Sequence, residues 1–166
     1  MKKTSKRYGT KEDEIKVYGE TEARNMYKIR SFVDAGAVTS FHTDGAGTPL
    51  EQIFVAATRR TVKDAQISLD RSQYTEQILN AYPDEIRGAE ETIDGITSLK
   101  CLTRNPAYQL KEENNLGSIE VGKAADFTIF NVDLTDNDAV TDVSVVGATL
   151  LSVFSNGKMT YPANQY

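Results

Sequence analysis

Residues 37–51, "AVTSFHTDGAGTPLE", restrict the fold more than any other stretch of the chain. "AVTSF" at 37–41 is short, apolar and β-branched, which predicts a buried strand. "HTDGAG" then reads as a loop. "TPLE" at 48–51 carries three agreeing helix-start signals: Thr48 as the cap, Pro49 at the first helical position, and Glu51 to complete a capping box. Leu50, Ile53, Phe54 and Ala57 follow at helical spacing and give that helix one buried face. Strand, loop and helix make one βα unit. In α/β folds the loop after the strand's C-terminal end is where functional side chains gather.

The flanking segments give further elements. Residues 22–35 read as a helix, with Met26, Ile29 or Arg30 and Val33 at helical spacing and Tyr27 and Phe32 widening the face. "DAG" at 34–36 supplies its glycine stop. Residues 62–88 are polar and lack a firm period, so they read as an insertion with a helical turn near 75–81. Residues 89–102 predict a helix with Ile93, Ile96, Leu99 and Leu102 on one side, weakened by Gly95 by about 1 kcal/mol relative to alanine. "RNPA" at 104–107 marks the break that follows. "NNLGSIEVGKAADF" is a turn-rich lead into a strand at 126–131. "VSVVGATLLSVFSNGKMTYP" reads as two strands joined by Asn156-Gly157, the strongest short hairpin signal.

The chain has 166 residues, enough for one domain with a modest core. Hydrophobic residues make up 39% and charged residues 26%, as in soluble globular proteins. No apolar run is long enough for a membrane span. The start, "MKKTSKRYGTKEDE", has no apolar segment behind its basic residues, unlike a secretory signal. Its switch from Lys2, Lys3, Lys6, Arg7 and Lys11 to Glu12-Asp13-Glu14 reads as a mobile, solvated segment over 1–21. A net charge of −5 gives no reason to expect nucleic acid. One cysteine, Cys101, excludes an internal disulfide and agrees with a reducing, cytoplasmic compartment. It lies in the apolar stretch "SLKCLT" and reads as a small core residue.

Two residues of the loop carry candidate chemistry. Asp44 can bind a divalent metal or take a proton from a bound water. It can equally sit near the start of the following helix simply because the positive dipole end favours an acid. Spacing alone favours the second reading. His42, the one histidine of the chain, can be a metal ligand or a structural hydrogen bonder. Gly45 and Gly47 match a phosphate loop only loosely, without its lysine.

The order of these segments resembles the amidohydrolase superfamily, and within it the amidohydrolase-3 group of metal-dependent hydrolases. "RSFVDAGAVTSFHTDGAGTPLEQIFVAATRRT" is similar to that group's last barrel strand and flanking helices. "ETIDGITSLKCLTRNPAYQL" resembles its helix followed by "NPA". "LGSIEVGKAADFTIFNVDL" is close to its signature around "GSLEVGKxADF", and "VVGATLLSVFSNGKMTY" to its closing strands. The resemblance covers residues 22–162, and the "GSIEVGKAADF" piece is its most specific part.

The resemblance implies an α/β fold: the last βα unit of a (β/α)8 barrel followed by C-terminal strands of a small β-sandwich domain. It implies the C-terminal part of the barrel at 22–115, around the insertion at 62–88, and part of the small β-domain at 116–166, following the mobile segment at 1–21. It also implies divalent metal, usually zinc, in the complete enzyme. Asp44 corresponds to the metal-binding aspartate that activates the attacking water, and His42 to a histidine that some members place two residues earlier.

The family's His-x-His pair and later histidines are absent, since His42 stands alone. The expectation is therefore a C-terminal fragment of an amidohydrolase acting on non-peptide, amide-type C–N bonds of a small molecule. Such a fragment is expected to be inactive alone and to hold no tightly bound metal. The rival expectation is a non-catalytic interaction or regulatory module derived from the family. A lone barrel strand leaves unpaired edges. A homo-oligomer, or a missing N-terminal half, is therefore the expected partner.

Overall fold

A computed structural model describes residues 11–42, 48–60 and 88–162. They form a mixed α/β arrangement with seven described helices and one three-stranded antiparallel sheet. The expected insertion at 62–88 lies outside the described residues except for Gly88. None of the described helices is long and apolar enough to cross a membrane.

The segment expected to be mobile contains α1 (Lys11–Tyr18) and the start of α2 (Glu20–Arg24). The single helix predicted over 22–35 is two helices. α2 stops at Asn25, and α3 spans Ile29–Asp34. Between them Tyr27 takes φ 61°, a left-handed conformation that no continuous helix tolerates. The face expected to be buried is correspondingly open, with Phe32 58% exposed. The glycine stop is as predicted. Gly36 has φ 79°, its N–H bonds Val33 O, and the Ala37 N–H reaches back to Phe32 O at 2.9 Å.

Helix α4 (Pro49–Thr58) forms where the capping signals place it. Thr48 Oγ1 accepts from Glu51 N at 3.1 Å, and Pro49 occupies the first turn, where its missing N–H costs nothing. Leu50, Ile53 and Phe54 are buried as expected; Ala56 is buried too, whereas Ala57 is only half-buried. This helix is the centre of the core. Phe54 packs with Val143, Val145 and Val146, against half-buried Val55, Val132 and Leu134. Ala56 packs with Ile93 and Cys101, against Ile29 and Phe41.

The helix predicted over 89–102 is also split. A 3-10 turn at Ala89–Glu91 precedes α5 (Gly95–Leu102), which Asp94 caps by accepting from Thr97 N. Its buried face is Gly95, Ser98 and Cys101, while Ile96 is 49% exposed. Close packing explains the inversion. A Cβ on Gly95 would lie 2.5 Å from the carbonyl oxygen of Leu134, so the small residues, not the branched ones, face inward. "RNPA" does more than end α5: after a one-residue break at Thr103 it opens α6 (Arg104–Gln109), with Pro106 inside the first turn.

The sheet runs β1 (Phe127–Phe130), β2 (Leu150–Ser155), β3 (Lys158–Tyr161), in that order. The Asn156-Gly157 hairpin is present, with φ 50° and 77°. The first part of the expected strand pair is not a strand. Asp136 caps α7 (Asn137–Thr141), and Asp142 then caps a 3-10 helix over Val143–Gly147, its Oδ1 accepting from Ser144 N. Those acid caps hold "VSVVG" in a helical turn whose valines fill the core.

Candidate functional site

Residues 37–42 have no regular secondary structure and carry no strand pairing, contrary to the strand expected at 37–41. Helix α6 supplies much of what a neighbouring strand would. Asn105 Nδ2 donates to Thr39 O at 2.8 Å, and Gln109 Nε2 donates to Val38 O at 2.7 Å. Ser40 Oγ donates to Gln109 Oε1 at 2.7 Å, so that amide is used at both ends. The Phe41 N–H donates to Cys101 O at the end of α5, and the Phe41 ring packs on Cys101, Ile93 and Ala56. Asn105 and Gln109 lie four apart and so share one helix face. A β-branched run therefore becomes an irregular segment bonded to a helix, not a sheet member. Sequence reasoning missed both amides; the signal was an Asn and a Gln at i and i+4, the Asn immediately before the proline of the break.

That clamp leads into the loop. His42 is exposed at its start. Asp44 lies outside the described residues, as do its neighbours at 43–47. Beyond these residues stands the capped start of α4. Glu51 stands in its first turn, where burial pushes its carboxyl above the usual value and a hydrogen bond from the Thr48 backbone partly opposes that. The Thr48 half of the capping box is thus formed, with its hydroxyl oxygen accepting from the Glu51 N–H.

Among the described residues, no group of three or more His, Cys, Asp or Glu side chains could hold a metal ion. Of the described candidate ligands, His42 is exposed at the end of the clamped segment and Cys101 is buried in the cluster on which Phe41 packs, so these two do not make a zinc site by themselves. Burial also pushes the Cys101 thiol up, with a weak opposing contact from Asn105, so it stays protonated and inert.

A second cluster was not legible in the sequence. Glu91 is 6% exposed and accepts from both Ser31 N, at 2.8 Å, and Ser31 Oγ. Lys28, the cap of α3, offers no side-chain bond, so a carboxylate 60 residues away satisfies that helix start instead. Burial works to raise the Glu91 pKa. The Ser31 bonds and the Lys28 and Arg59 charges outweigh it and hold the group below the ordinary range. Beside it a cleft of about 150 Å³ is lined by Arg30, Val33, Asp34, Ile93, Asp94 and Thr97. Arg30 and Asp34, one turn apart on α3 at the edge of the cleft, neutralise each other at 2.7 Å. Its lining includes no residue of the clamped segment or the α4 start.

The chain matches the Amidohydrolase family across residues 12–161. It is 29% identical over 118 residues to an N-substituted formamide deformylase of Arthrobacter pascens. That match takes in 69% of this chain but only 18% of the relative's own length. No solved structure matches the chain. With nearly its whole length inside the family match, from α1 to the end of β3, the chain belongs to the Amidohydrolase family.

Proposed function

We propose that the chain is the C-terminal portion of a metal-dependent amidohydrolase that cleaves a non-peptide, amide-type C–N bond, and that it does not turn over substrate alone. Family membership supports the bond class, and the formamide deformylase relative suggests an N-substituted amide of a small molecule. The observation that carries the reading is the clamp. Asn105, Gln109 and the Cys101 carbonyl fix residues 38–41, and Thr48 and Pro49 fix the start of α4, so the chain is held on both flanks of residues 43–47. A general base needs that kind of support.

In this reading the Asp44 carboxylate takes the proton of the attacking water, and His42 is its neighbouring ligand. The metal of the complete enzyme, zinc in most relatives by resemblance, needs three protein ligands. Asp44 and His42 leave that set incomplete, so the remaining ligands come from barrel strands outside these 166 residues. A second reading, a non-catalytic interaction module, is favoured by one surface feature. Ile119 and Val121, at 88% and 109% exposure, flank Glu120 as apolar contacts with nothing over them among the described residues.

The test is reconstitution. This chain would be mixed with a polypeptide supplying the family's N-terminal barrel strands, with zinc, and formate release followed from an N-substituted formamide. Activity in the mixture alone, lost with Asp44→Asn, is the expected result. Turnover indifferent to that substitution would remove Asp44 from the chemistry. Light scattering that shows stable self-association without turnover in any mixture would favour the interaction module.

A further inference from the structure

The tip of the β2–β3 hairpin carries a chemistry that the proposed function does not use. Asn156 and Gly157 are both exposed and both have positive φ, as a two-residue primed turn demands. In such a dipeptide the glycine nitrogen can approach the asparagine side chain unhindered, because glycine has no Cβ. The attack is a self-modification. Gly157 N bonds to Asn156 Cγ, the Cγ–Nδ2 bond breaks, and Nδ2 leaves as ammonia with the proton released by Gly157 N. The cyclic imide then takes up one water and opens to aspartate or to isoaspartate.

In this fold both N–H groups around that side chain are held from outside the hairpin. Asp126 Oδ1 accepts from Asn156 N at 2.5 Å, across 30 residues. Ala125 O accepts from Gly157 N at 3.0 Å. Each anchor opposes cyclisation. The bond to Ala125 retains the proton that Gly157 must lose before it attacks, and the two bonds together hold the peptide that must rotate to bring nitrogen and Cγ together. Even a Cβ built on Gly157 would meet only Ala125 Cβ, at 3.9 Å, so the corner does not act by crowding the turn.

We propose that Asn156-Gly157 is a latent deamidation site which the Ala125–Asp126 corner holds closed. Opening the corner starts the reaction. Its products keep the corner open: isoaspartate lengthens the backbone of a two-residue turn and displaces the Ser155–Lys158 pair, and aspartate places a carboxylate beside Asp126.

The experiment follows isoaspartate and aspartate at residue 156 by peptide mapping and mass spectrometry, in the whole chain at mildly alkaline pH. Asp126→Ala is expected to modify Asn156 about tenfold faster than the wild type, since only the locally open population cyclises. Asp126→Asn keeps an acceptor oxygen and is expected to stay near the wild-type rate. If circular dichroism shows Asp126→Ala unfolded, the wild-type chain is compared with itself in urea, and the native chain is expected to be about tenfold slower or more. A folded Asp126→Ala variant that matches the wild type, or a native chain that deamidates as fast as the unfolded one, overturns the proposal.

Discussion

The helices around α4 and the three-stranded sheet are held together in different ways. Around α4 two buried clusters meet on one helix: Phe54 with the valines of 143–146 on one side, and Ala56 with Ile93 and Cys101 on the other. In the sheet none of the strand residues is buried. It relies on its ladder, on one ring pair, Phe127–Phe154 at 4.7 Å, and on the Ala125–Asp126 corner. Area removed from water stabilises the first region, and directed bonds hold the second. Loss of one group should therefore be felt broadly in the helices and locally in the sheet.

The largest expected effect tests that contrast directly. Phe54→Ala should cost about 3–5 kcal/mol in chemical denaturation, because a fully buried ring is lost from the junction of the core. Phe154→Ala, on a half-buried ring, should cost only about 1 kcal/mol. Equal costs would erase the distinction. Gly95→Ala comes next. Helix propensity alone would favour alanine by about 1 kcal/mol. The added Cβ meets the Leu134 carbonyl at 2.5 Å, so a net loss of about 1–3 kcal/mol is expected, and a stabilised variant would mean that α5 sits less tightly than described.

Glu91 adds a pH signature to the helical region. Its folded pKa lies below its unfolded value near 4.5, so its contribution is fully present above that value and is lost as pH falls through the folded pKa. Acid titration of stability should therefore be steeper for the wild type than for Glu91→Gln below about pH 4.5. Parallel curves would show that the Ser31 bonds do not discriminate between protonation states. Asn105→Ala should cost about 1 kcal/mol and speed amide exchange around Thr39 and Phe41 without reaching the sheet. The smallest effect is expected for Asp44→Asn, roughly 1 kcal/mol or less in the isolated chain. An unfolded variant would make that acid structural.

The sequence was most readable where one local signal decides a conformation. Thr48, Pro49 and Glu51 mark the α4 start, Gly36 the α3 stop, and Asn156-Gly157 the hairpin, because caps and primed turns are short-range. It was least readable where a distant partner decides. Nothing near Gly95 announces the Leu134 carbonyl, so Ile96 looked like the inward residue of α5. Nothing near Ser31 announces Glu91. "AVTSF" has strand composition, yet its carbonyls end on Asn105 and Gln109. Of the candidate site, residue types and spacing placed His42 just before the α4 start, where the structure shows it exposed, and the family match supports the bond class. The clamp beneath it emerged only in three dimensions.

That clamp also has a history in time. The acceptors on Val38 and Thr39 are 71 and 66 residues ahead of the amides that hold them. On a ribosome adding roughly 5–20 residues per second, the segment leading to the loop is synthesised about 3–14 seconds before its clamp exists. Until then its ordering depends on transient partners, and a pause in translation between α4 and α6 would prolong that interval without changing a single residue.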